Sequence, residues 1–97
     1  MFLEIVTPES VVFNAEVDGV TVPGVNGEFQ MLDNHAPIVS LLKEGFVKIH
    51  MHSQEHLELD ELSGNLKLHS DDDKVLVFAI NSGTIELNEN KIIILAD

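Results

Sequence analysis

The chain has no cysteine, no arginine and no long apolar run. Without cysteine there is neither a disulfide framework nor a zinc-thiolate site, a composition that fits a reducing compartment. The only cations among its side chains are five lysines, set against 17 acidic residues, for a net charge of −12. Nucleic acid binding needs cations to replace counterions, so that class is excluded, and binding to anionic lipid is disfavoured for the same reason. The longest apolar runs are about six residues, far short of the ~20 that span a bilayer as a helix. No charged segment followed by an apolar one marks a signal peptide. No glycine-flanked serine elbow and no cysteine nucleophile is present, so catalysis has little to rest on.

What is present is a globular composition, 44% hydrophobic over 97 residues, enough for one domain spanning residues 1–97. A chain of this length buries roughly 60–65% of its unfolded surface. The acidic surface makes a basic protein surface the natural partner.

The pattern along the chain is that of many short strands. Leu3 and Ile5 alternate with Glu4, and Val11-Val12-Phe13 is a β-branched and aromatic run followed by a turn over Asn14 to Glu16. Val17 to Val22 reads as a strand with a bulge at Gly19. Pro23 to Pro37 concentrates the backbone-shaping residues. Pro23-Gly24 favours a turn, Asn26-Gly27 a type I′ hairpin, and Asp33-Asn34 a second break before His35-Ala36-Pro37 forces an extended approach. Ile38 to Leu42 is a short apolar strand. Val47, Ile49 and Met51 alternate with Lys48, His50 and His52, as in a half-buried antiparallel strand, and Leu57 and Leu59 repeat the alternation. Val75 to Ile80 is continuous enough to be buried on both faces, and Thr84 to Leu87 with Lys91 to Leu95 forms a last hairpin about Asn88-Glu89-Asn90. Helical periodicity is nowhere sustained. The expected fold is all-β, a sandwich of two antiparallel sheets with about ten short strands and no substantial helix.

Three constellations carry chemistry. His50, His52 and His56, with Glu55 and Glu58 nearby, could chelate zinc, giving the alternative reading of a stand-alone metal- or ligand-binding β-sandwich. No fourth ligand stands out, which favours a solvated histidine-rich strand face. Asp71-Asp72-Asp73 lacks the alternating oxygens and turn glycine of a calcium loop and reads as an acidic turn. His35 could pair with Asp33, but no serine or threonine stands beside them. No cofactor is expected.

The motifs Leu3-Glu4-Ile5-Val6-Thr7-Pro8-Glu9, Val20-Thr21-Val22-Pro23-Gly24, Gly27-Glu28-Phe29, His35-Ala36-Pro37-Ile38, Ser82-Gly83 and the closing Ile94-Leu95-Ala96-Asp97 run almost end to end. In combination they resemble the N-terminal β-sandwich domain of the epsilon subunits of bacterial F-type ATP synthases. The resemblance implies a non-catalytic rotor subunit of the central stalk. It would pack against the gamma subunit and the ring of c subunits on the cytoplasmic face of the bacterial inner membrane, coupling proton-driven rotation to ATP synthesis. It implies that Glu28 faces the polar loops of the c ring, and that Thr7, His35, Ala36, Pro37 and Ser40 lie near the gamma contact. The chain departs from the family's usual pattern at Asp33-Asn34 and at Glu44-Gly45, where Pro-Gly is common, and from Met51 to Asp73. Longer members continue into two α-helices, so the end at Asp97 carries the expectation of a short form without them.

Overall fold

A computed structural model describes residues 1–51, 66–69 and 72–97. Its strands are β1 (Phe2–Val6), β2 (Val11–Glu16), β3 (Gly19–Gly24), β4 (Gly27–Leu32), β5 (Ile38–Leu42), β6 (Gly45–His50), β7 (Leu66–His69), β8 (Asp72–Ile80), β9 (Gly83–Asn88) and β10 (Lys91–Ala96). The described residues contain no helix. Strand order is β2-β1-β10-β9-β5-β3-β6-β8-β7, with β4 paired to β3.

This one path is two five-stranded halves. The β2-β1-β10-β9-β5 half meets the β4-β3-β6-β8-β7 half at one register pair, Gly24↔Leu42. Two further bonds flank it, from Val25 N–H to Leu41 O (3.2 Å) and from Lys43 N–H to Pro23 O (2.9 Å). Each half turns one face inward. Leu3, Ile5, Ile85, Leu87, Ile92 and Ile94 from the first meet Val20, Val22, Met31, Val47, Ile49, Leu76 and Phe78 from the second in a single buried cluster. The interleaving of two apolar faces makes this a sandwich, and the alternation that predicts it is that of Leu3/Ile5 and of Val47/Ile49/Met51.

Among the described residues all strand pairings but one are antiparallel. β1 and β10 run parallel, with Leu3 opposite Ile92 and Ile5 opposite Ile94. Both strands therefore have neighbours on each side and lie inside their half.

Five local expectations give way to packing. Pro23-Gly24 does not turn; both residues are buried at the end of β3. Pro23 lies where β3 changes neighbour from β6, paired over Gly19 to Thr21, to β5, paired at Gly24. Its carbonyl points to that edge, toward Lys43, so the N–H that proline lacks falls in the gap between two ladders, where no ladder partner is forfeited. The hairpin that follows turns on Val25-Asn26, since Gly24 pairs with Gly27, and the only positive φ there is that of Gly27 at 129°. It is therefore not the type I′ turn expected at Asn26-Gly27. Gly19 is in regular register with Leu32 and His50; register shifts lie instead between Ile5 and Val6, opposite Val11 to Phe13, and between Leu68 and His69. The turn expected at Asn14 to Glu16 is absent, and β2 continues through Glu16. β8 is not buried on both faces. Leu76, Phe78 and Ile80 are buried, Val77 is half-buried and Ala79 is exposed, because only one face of β8 looks at the opposite half.

Candidate interface

Glu28 is the second residue of β4, not a turn tip. It stands opposite Pro23 on the outward face of the second half, and Lys48 of β6 reaches it with Nζ–Oε2 at 3.7 Å. Both side chains are well exposed, so the pair is worth roughly 0–1 kcal/mol and is easily exchanged for an incoming cation. Beside it, Thr21 Oγ1 is 3.0 Å from His50 Nε2, and Gln30 Nε2 is 3.5 Å from the same nitrogen. His50 is thus occupied by polar neighbours of its own sheet face. His52, His56, Glu55, Glu58 and Asp71 lie outside the described residues. Among the described residues no group of three His, Asp or Glu side chains could hold a metal ion.

The segment His35-Ala36-Pro37 is held from behind by a polar knot that the sequence does not announce. Asn34 takes the left-handed conformation, φ 66°, and His35 N–H closes the turn onto Leu32 O at 3.0 Å. Asn90, in the β9–β10 turn, then grips both residues before His35. Its Oδ1 accepts from Asn34 N–H at 2.8 Å, and its Nδ2 donates to Asp33 Oδ1 at 2.9 Å. The Met1 ammonium donates to the same Asp33 oxygen at 2.7 Å and lies 3.3 Å from Glu16 Oε2. These contacts set the titration of the knot. The ammonium's hydrogen bond to Asp33 raises the Met1 amine above its ordinary value. The same bond, helped by Asn90, lowers Asp33 below the usual carboxylate value. Asp33 therefore does not pair with His35. The His35 ring instead donates from Nδ1 to Ala36 O at 2.7 Å, which places the proton of the neutral ring on Nδ1. Asn90 and Met1 were not legible as site-forming residues. The one local signal was an asparagine at a turn, where positive φ is tolerated.

Thr7 lies at the far end of the same half. It closes a two-residue turn with Ser10: its N–H donates to Ser10 O at 2.9 Å, its hydroxyl to the same oxygen at 3.2 Å. It lines a shallow depression of about 260 Å³ with Val6, Pro8, Leu95, Ala96 and Asp97. Pro37 lines a second, of about 290 Å³, with Ile38, Val39, Glu86, Leu87 and Asn88. Ser40 is half-buried opposite Ile85, on the core-facing side of β5, and its hydroxyl donates to Leu41 O at 3.2 Å. The expected gamma-contact residues therefore do not cluster. Thr7 and Pro37 are separated by five rungs and three strand gaps, about 17 Å along the strands and about 14 Å across them. They bracket one face of the first half, a span that a single interface of ordinary size, about 800 Å² per partner, would cover.

A family model described as the ATP synthase delta/epsilon chain beta-sandwich domain matches residues 1–60. The chain belongs to this family. The ATP synthase epsilon chain of Campylobacter concisus (strain 13826) is 39% identical over 97 residues, taking in 100% of this chain and 60% of the relative. That of Desulforamulus reducens is 34% identical over 95 residues, or 98% of this chain and 57% of the relative. The chain thus spans 60% or less of the curated relatives' length. In fold it is similar to chains of two solved assemblies. One is the central stalk and c-ring of the Tetrahymena thermophila mitochondrial ATP synthase (TM-score 0.72, 17% identity, 99% of this chain and 62% of the other). The second is the Euglena gracilis mitochondrial ATP synthase (TM-score 0.72, 17% identity, 97% and 48%). At Asp33-Asn34 the turn before His35 is made by Asn34, which supplies the left-handed residue, and Asn90 fastens it.

Proposed function

We propose that this chain is a non-catalytic subunit of the central stalk of an F-type ATP synthase. It would bind the gamma subunit and the c ring at the cytoplasmic face of a bacterial inner membrane and couple ring rotation to ATP synthesis. The observation that carries this reading is the family match over residues 1–60, together with 39% identity to an ATP synthase epsilon chain along the whole of this chain. The geometry is compatible with two separate contacts. Glu28 lies on the outward face of one half, where its weak pair with Lys48 leaves it ready to exchange for a basic group of the ring loops. Thr7, His35, Ala36 and Pro37 bracket the other half, which we assign to gamma, with Ser40 supporting β5 from its inner side.

Co-expression with gamma from the same genome, followed by size-exclusion chromatography at moderate salt, tests the reading. Co-elution at 1:1 is expected. Separate elution of two folded proteins would refute it.

A further inference from the structure

The chain has an aspartate or asparagine directly before a glycine at two places, Asp18-Gly19 and Asn26-Gly27. The fold gives them opposite settings. Gly19 is buried in β3, paired with Leu32 on one side and His50 on the other, and a Cβ there would lie 2.8 Å from Leu32 Cδ2. Asn26-Gly27 stands at the tip of the β3–β4 hairpin, where Val25, Asn26, Gly27 and Glu28 are all exposed. Among the described residues nothing comes within 4 Å of where a Gly27 Cβ would be, and the Gly27 φ of 129° is one that glycine takes without steric cost. No described group holds the Asn26 carboxamide, whereas Asn90 engages both ends of its own, with Asp33 and Asn34.

We propose that Asn26 is a site of spontaneous covalent modification, in which the Gly27 backbone nitrogen closes on the Asn26 carboxamide and leaves an aspartyl or β-aspartyl link two positions before Glu28. The Gly27 nitrogen gives its proton to base and bonds to Asn26 Cγ. The Cγ–Nδ2 bond breaks, and that nitrogen leaves as ammonia with a proton returned by solvent. The product is a cyclic imide, and water adds to either of its carbonyls. Opening at Cγ restores the main chain and leaves an aspartate. Opening at the main-chain carbonyl routes the backbone through Cβ and Cγ. One water enters, one ammonia leaves, and no electrons change hands.

The hairpin tip permits this closure. With no Cβ on Gly27, nothing obstructs the approach of its nitrogen. Gly24↔Gly27 is the last rung of the β3–β4 ladder, so freeing the Gly27 N–H opens one rung, at the low end of the local-stability scale. The same closure at Asp18 would have to part Gly19 from β4 and β6 together, at a buried position. Both products add one carboxylate to a chain of net charge −12. The aspartate keeps the length of the loop. The β-aspartyl link adds a carbon to the main chain of a two-residue turn, and because loop length sets hairpin register, Gly24↔Gly27 and Pro23↔Glu28 cannot both keep their places. Glu28 would then lose its 3.7 Å pair with Lys48. The bearing of this product on the ring contact rests on the stalk reading; the chemistry does not.

The test is to hold the folded chain in warm, mildly alkaline buffer and follow its proteolytic fragments by tandem mass spectrometry. Asn26 should gain one mass unit as amide gives way to acid, and faster as pH rises. Asn14, Asn34, Asn65, Asn81, Asn88 and Asn90, none of which precedes a glycine, should change at least tenfold more slowly. Reversed-phase separation should resolve two products, one matching the fragment from Asn26→Asp and the other β-linked. Asn26→Gln should slow the gain at least tenfold, because its longer side chain must close a larger ring. Gly27→Ala should slow it about tenfold, through the Cβ that then blocks the nitrogen. Thermal melts verify that each variant folds. An Asn26 that gains mass only when the chain is unfolded in urea would overturn the proposal, since the hairpin would then be protecting the amide. So would equal rates at Asn26 and the other asparagines. Modification of Asn26 in a chain that fails to co-elute with gamma would leave this site standing and remove only the stalk reading.

Discussion

Substitutions at Asn90 separate two contributions to the knot behind His35. The side chain makes two hydrogen bonds, to Asp33 and to Asn34 N–H, and its backbone is left-handed at φ 63°. Asn90→Gly keeps the backbone conformation at no steric cost and deletes both bonds. A typical hydrogen bond contributes about 0.5–1.5 kcal/mol net, and these two are exposed, so the expected loss is about 1–2 kcal/mol. Asn90→Ala deletes the same bonds but keeps a Cβ in the left-handed region without the polar side chain that lets asparagine tolerate it, which costs about 1 kcal/mol more, for a total of about 2–3 kcal/mol. At this chain length each kcal/mol moves Tm by about 4–8 °C. Urea unfolding of the three proteins gives the free energies, and amide exchange at Asn34 reports the local bond. Both variants should lose protection at Asn34, while only Ala should show the additional global loss. Wild-type stability in Asn90→Gly, or an Ala variant no worse than Gly, would refute the reasoning.

Other outcomes follow from the same coordinates. The Asp33–Met1 pair should stabilise only in a window. The lowered Asp33 contributes above its unfolded value near 3.9 and loses that contribution as pH falls through its folded value. The raised amine contributes fully below about 8 and loses its share as pH climbs through the raised value. Urea midpoints of Asp33→Asn against pH should therefore lack both flanks; parallel curves for the two proteins would contradict the pairing. Leu76→Asp should abolish cooperative folding, because an unpaired charge at a fully buried site costs several kcal/mol, while Val77→Asp, half-buried, should still melt cooperatively by circular dichroism. Gly83→Ala places a Cβ 2.5 Å from Leu95 O and should cost about 1–3 kcal/mol in chemical denaturation. Glu28→Gln should lower Tm by no more than about 4–8 °C, given an exposed pair worth ~0–1 kcal/mol, yet weaken proton-coupled ATP synthesis in reconstituted vesicles; unchanged coupling would remove Glu28 from the ring contact.

Much of this architecture is legible locally. The alternation of Val47, Ile49 and Met51 places one face of β6 inward, and Asn88-Glu89-Asn90 marks the last hairpin, because both signals need only neighbouring residues. What escapes local reading is long-range. The parallel pairing of Leu3 with Ile92 has no signature in either segment. Pro23 looks like a turn residue until one sees that β3 changes partners there. Val77 looks like core because an apolar run does not state how many of its faces are covered. The site shows the same divide. Glu28 is visible through its motif, but its partner Lys48 is set by the β3–β6 register. Asn90 reads as a turn residue, while its partners Asp33 and Asn34 are more than fifty positions away in the chain.

The parallel pairing of the first and last strands has a consequence for synthesis on the ribosome. β1 emerges first and finds β2 almost at once, yet its other edge stays open until β10 has cleared the exit tunnel. Until then the nascent chain carries a strand with Leu3 and Ile5 uncovered and one row of peptide groups unsatisfied, a template for mispairing with another chain. Closing the sandwich is thus a single event that waits for β10 to join β1, and a chain stalled before Lys91 should be a substrate for chaperones or proteases, not a partly folded domain.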